Sequence, residues 1–186
     1  MKVSRKLFVR AALFGAVAAS ALPTVTFGAE EASIQEVAQG LQATLDNVWI
    51  LVAATLVLFM QAGFSLVEAG MIRAKSVANV MMKNLMDLCL GALAFFAVGF
   101  AIAFGGDMSG IGKFLGGSGW FLGEGSSTYG NLTPSTFFVF QVAFAATAAT
   151  IVSGAMAERT KFKSYAIYSI VISALIYPIV VRWQWG

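Results

Sequence analysis

The chain has 186 residues, 59% hydrophobic and 11% charged, with 12 Lys and Arg against 9 Asp and Glu. So few charges cannot cover a water-facing surface, which excludes a soluble globular domain and makes a bilayer the solvent. With no His and a single Cys, Cys89, the chain can assemble neither an internal disulfide, a zinc site nor a Ser-His-Asp nucleophile, so no catalytic residue, metal ligand or cofactor is expected.

The chain opens on a basic n-region of Lys2, Arg5, Lys6 and Arg10, an apolar stretch from Ala11 to Leu22, and small residues around Gly28. This pattern predicts a secretory signal peptide over residues 1–28; the competing reading, an uncleaved first span, meets an apolar run too short to cross comfortably. Removing the leader takes four of the twelve basic residues and leaves eight against nine acidic ones. No basic face then remains for nucleic acid. Residues 29–46, with Glu30, Glu31, Glu36 and Asp46, are expected to form an external N-terminal segment.

Charge-free runs follow at 47–67, 88–106, 125–157 and 164–181. Each supplies about twenty residues, enough at helical rise for about 30 Å of hydrocarbon. Transmembrane helices are predicted at about 48–68, 85–104, 135–157 and 164–182 within a domain of residues 47–186. Backbone groups in lipid must be satisfied inside the segment and no period-two alternation occurs, so the fold class is all-α, a four-helix membrane bundle.

The connections set the orientation. Arg73, Lys75 and Lys83 fall in the first and Arg159, Lys161 and Lys163 in the third, whereas the second holds only Lys113 with Asp107 and Glu124. The bias predicts that connections one and three face the cytoplasm and that the mature N-terminus lies outside a cell (inner) membrane. The second connection is rich in Gly; because Lys113 is followed by Phe114, it is not a phosphate-cradling loop. Trp120, Phe121 and Tyr129 suit headgroup anchoring, and Pro134 suits a first helical turn.

Gly63, Gly70, Gly91 and Gly99 stand at intervals that let helix backbones approach, for close packing or for a narrow passage. Gln61, Glu68, Asp87, Gln141 and Arg182 lie within or at the edges of the spans, where polar groups are costly. Glu68 and Asp87 fall near the cytoplasmic ends, as an interfacial pair or as part of an ion path. Gln141 shares a helix face with Phe144.

The stretches "FMQAGFSLVEAGMIRAKSVANVMMKNLMD" and "FQVAFAATAATIVSGAMAERTKF", with the ending "YPIVVRWQWG", resemble the corresponding segments of the Amt/MEP/Rhesus ammonium transporters. The resemblance covers about residues 45–186. It implies an ammonium-conducting homotrimer in the lipid bilayer, each subunit built from inverted repeats around a midplane pathway, with a cytoplasmic regulator as a possible partner. It also implies an outer aromatic cage for the ammonium ion, and by position Phe144 is the cage phenylalanine and Trp185 the cage tryptophan. The family's lumen histidines have no counterpart here, and Val181–Arg182 stands where the family has a small residue followed by His. The expectation is therefore the N-terminal part of a transporter, inactive alone, from a truncated or drifting gene copy. The alternative is a nontransporting membrane protein that associates with complete subunits. An Arg beside a cation site would repel its substrate unless it turned away to lipid headgroups.

Overall fold

A computed structural model of the chain describes residues 5–106, 110–126 and 128–185, with side chains described from residue 33 onward except at 110 and 111. Of the expected leader, residues 1–28, the first four lie outside the described residues, and the rest are described by backbone alone. Two compact units are present, Met1–Leu45 and Asp46–Gly186. The first holds the leading part of helix α1, and the second holds the rest of the chain.

Helix α1 spans Arg5–Met71, and after a 3-10 turn at Ala74–Ser76 helix α2 spans Val77–Ala94. A π-helical segment, Phe95–Gly99, joins α2 to α3 (Phe100–Phe104). Beyond the Gly-rich connection, α4 spans Pro134–Met156; α5 spans Phe162–Val171 and continues through a second π segment, Ile172–Ile176, into α6 (Tyr177–Trp185). Among the described residues every regular element is helical. Four stretches are long and apolar enough to cross a membrane: Ser33–Met71, Ala74–Phe104, Pro134–Met156 and Phe162–Trp185. The chain is thus an all-α, multi-pass membrane protein.

Local chemistry explains the helix limits. Thr133 caps α4, its hydroxyl accepting from the Thr136 amide at 3.3 Å, and Pro134 occupies a first-turn position that needs no donor. Thr55 and Ser65 return their hydroxyls to carbonyls four residues back at 2.9 Å, which satisfies them inside apolar helix. The second π segment lies just before Pro178, whose ring and missing N–H disturb the preceding helical turn. Helix α2 begins at Val77, ahead of the predicted 85, so Lys83 is a buried helical residue and not part of a charged connection.

The apolar core gathers where α3, α4 and α6 meet. Phe95, Phe100, Ala103, Phe104, Phe137, Ala145 and Val181 are buried together, and the Phe104 and Phe137 rings meet edge to face at 4.9 Å. Such pairs add about 0.5–1.5 kcal/mol beyond their burial. At the end of the bundle bearing the Gly-rich connection, Asn47 clips α1 to the chain before α4. Its side chain donates to the Asn131 carbonyl at 3.1 Å and accepts from the Thr133 amide at 3.0 Å. Asn131 in turn donates to Asp46 at 3.2 Å.

Candidate functional site

Two regions hold the polar and aromatic groups that a membrane interior would otherwise exclude. The first lies at the end of the bundle with the Gly-rich connection. Phe144 stands ten residues into α4, about 15 Å below Pro134 at helical rise. Its ring is half-buried and meets Phe140 at 5.0 Å. Trp185 closes α6 with 77% of its surface exposed. Among the described residues no ring contact joins Trp185 to Phe144. Arg182, one turn before Trp185, does not reach outward to headgroups: it is 2% exposed. Its Nε and Nη2 donate to the Gly112 carbonyl at 2.9 and 2.6 Å, and Nη1 donates to the Ala103 carbonyl at 3.3 Å. Carbonyl dipoles surround the guanidinium and meet a cost that a bare cation would carry in low dielectric.

The second region is a buried polar core near the opposite end, built from α1, α2, α4 and α5. Glu68 accepts from Asn84 Nδ2 on one oxygen and from the Ser153 hydroxyl on the other, both at 2.9 Å. Gln61 donates to Thr150 Oγ1 at 2.5 Å. Asp87 is fully buried and accepts from the Tyr165 hydroxyl. Lys83 is 1% exposed, lies 5.1 Å from the centroid of the Tyr165 ring and donates to the Thr160 carbonyl at 3.3 Å. Glu68 and Asp87 do not pair with each other: each takes hydrogen bonds from side chains on neighbouring helices inside the bundle. Among the described residues, Asn84 Oδ1, Asp87 Oδ1, Ser169 Oγ and Ser173 Oγ are buried with no partner within hydrogen-bond distance, Ser169 lying beside Asp87.

The rim beside this core is an ion pair. Arg73 donates from Nε to both carboxylate oxygens of Glu158, at 3.1 and 3.0 Å, and from its backbone amide at 3.1 Å. The guanidinium holds the Glu158 carboxyl down at about 2, helped by Ser76, and the carboxylate raises Arg73 in return. Glu158 adopts φ +59, a left-handed turn that aims its side chain back toward Arg73. Beneath the pair a cavity of about 710 Å³ opens between α1 and α4, lined among others by Glu68, Thr150 and Gly154.

Intramembrane polarity singles out Gln61, Glu68, Asp87 and Arg182 in the sequence but not Asn84, Ser153 or Tyr165. The missed residues carry a periodic signal: Asn84, Asp87 and Gly91 share one face of α2, and Tyr165, Ser169 and Ser173 recur at intervals of four.

Residues 48–186 match the Ammonium Transporter Family. The chain is 52% identical over 165 residues to the ammonium transporter Amt2 of Archaeoglobus fulgidus, covering 89% of this chain and 34% of the relative. It is 42% identical over 150 residues to Amt1 of Haloferax mediterranei, covering 81% and 27%. Among solved structures, a protein described as a sensor Amt protein superposes with a TM-score of 0.73 at 35% identity, over 79% of this chain and 35% of that one. The chain spans about a third of the length of these relatives.

Proposed function

The chain belongs to the Ammonium Transporter Family, and on that premise we propose that its helices form part of a path by which ammonium crosses the membrane. The observation that carries this reading is the match over residues 48–186, which takes in all of α2 to α6. The proposed outer site consists of Phe144 and Trp185. An exposed indole at the end of α6 offers a π face to a cation arriving from water, and Phe144 receives it deeper along α4. A cation over such faces gains about 2 kcal/mol when desolvated. Arg182 keeps its positive charge one turn from Trp185, and the Gly112 and Ala103 carbonyl dipoles that accept from its guanidinium offset part of the repulsion a second cation would meet there.

The remaining parts of the reading are a mature N-terminus outside the inner membrane, a homotrimer, and a regulatory partner on the cytoplasmic face. Conduction is proposed for the assembled transporter, with no uptake by this chain alone. A second reading, association with complete subunits without transport, is favoured by the part of α1 beyond Asp46, where Trp49, Leu56 and Phe59 stay exposed.

The test is a chimera in which residues 48–185 replace the corresponding region of the Archaeoglobus relative, expressed in cells lacking ammonium uptake. We expect methylammonium uptake by the chimera, and about thirtyfold weaker half-saturation for Trp185→Ala or Phe144→Ala, the equivalent of about 2 kcal/mol. Unchanged uptake in both variants overturns the outer site; a silent chimera with intact membrane insertion overturns the transport reading.

A further inference from the structure

We propose that the buried core between α2 and α5 is a proton-binding site, with one exchangeable proton carried by Asp87 and reached through the cavity under the Arg73–Glu158 pair. Three observations carry this. The first is charge. Glu68 on α1 and Asp87 and Lys83 on α2 are all buried, so two carboxyls face one ammonium. Their other neighbours are Tyr165, Tyr168 and the Ser169 hydroxyl on α5, beside Asp87, and the Ser153 hydroxyl on α4, which donates to Glu68. With both carboxyls ionised the core would hold an uncompensated negative charge inside a bilayer, and a single proton removes it.

The second observation is hydrogen bonding. Tyr165 supplies a donor to Asp87 Oδ2, while Asp87 Oδ1 has no donor within hydrogen-bond distance and the Ser169 hydroxyl is its near neighbour. Asn84 Oδ1, one turn back on the same helix face, and the Ser169 and Ser173 hydroxyls are also unpartnered and at most 1% exposed. Ser173 Oγ stands 3.0 Å from the position a Cβ on Gly91 would occupy, one turn beyond Asp87, so these oxygens line the same seam. A proton on Oδ1 converts an orphan acceptor into a donor for that seam.

The third is access. The cavity of about 710 Å³ reaches Glu68 from the end bearing Arg73 and Glu158. Asn84 hydrogen-bonds Glu68 and lies one turn from Asp87, so water in the cavity comes within one side chain of the site. The inference goes beyond the ammonium reading and does not rest on it, because it concerns a proton held by this chain's own carboxyls.

The experiment is infrared difference spectroscopy of the full chain in liposomes, without ammonium, so that its outcome is independent of transport. At neutral pH a protonated-carboxyl carbonyl band is expected. It should vanish in Asp87→Asn and weaken in Glu68→Gln, which removes one of the two competing charges. Gly154→Leu places a side chain in the cavity, where a Cβ meets nothing within 4 Å. It should slow the deuterium shift of that band at least tenfold. Absence of the band, or its survival in Asp87→Asn, overturns the site. Unchanged exchange in Gly154→Leu overturns the route. Should Asp87→Asn fail to fold, the wild-type spectrum and Glu68→Gln still decide the matter.

Discussion

Single residues in this chain are distinguished by whether their charge finds a partner. Glu158 is held at about 2 by Arg73, below the 4.5 of an unperturbed carboxyl. A depressed carboxyl contributes stability that is present above its unfolded value and lost as pH falls toward its folded one. Acid unfolding followed by circular dichroism between pH about 4.5 and about 2 should therefore show a slope that Glu158→Gln abolishes, and an identical slope in the variant would remove the pair from the account. Arg182→Leu should lower stability by about 1–3 kcal/mol, because the Gly112 and Ala103 carbonyls lose charged donors in a dry site. Denaturant titration in detergent measures it. Intramembrane cost alone flagged Gln61, Glu68, Asp87 and Arg182 in the sequence. It could not say what they bind, since the contacts of Glu68 with Ser153 and of Asp87 with Tyr165 join residues 85 and 78 positions apart. Lys83 was misassigned because a charge count treats every lysine near a span as a loop residue, whereas here it is enclosed by Tyr165 and Thr160.

At the scale of elements, the four glycines that the sequence set alike divide into two kinds. A Cβ at Gly99 would stand 2.5 Å from the Ser173 carbonyl oxygen and 3.0 Å from Pro178 Cγ, at the contact between the two π segments. One at Gly63 or Gly70 would meet nothing within 4 Å. Gly99→Ala should thus cost about 1–3 kcal/mol by overpacking. Gly70→Ala should be neutral or gain up to about 1 kcal/mol from helix propensity. Thermal unfolding of the two variants side by side checks this, and equal losses would contradict the packing described. The spacing of small residues announces that a backbone can approach; it does not name the helix that arrives. Span centres were legible from charge-free runs, while the π segments were not, because they arise from Pro178 and from contacts between distant turns.

For the whole molecule, the distribution of Arg and Lys predicts a direction of insertion that labelling can test. In a chain with Cys89→Ser, Lys75→Cys should resist a membrane-impermeant maleimide applied to intact cells, and Glu124→Cys should react. The reverse pattern would invert the orientation. The family was readable from the motifs around Glu68 and Ser153 and from "YPIVVRWQWG", and the match over residues 48–186 bears that out. The polar core was less readable, because it exists only where four helices converge. Arg182 has a mechanical effect as well. Its guanidinium binds one peptide oxygen of the Gly-rich connection, that of Gly112, while its own backbone belongs to α6. Pulling the connection outward would strand a cation in a poorly polarisable medium, so the stretch at Gly112 is tethered to the helix that ends in Trp185.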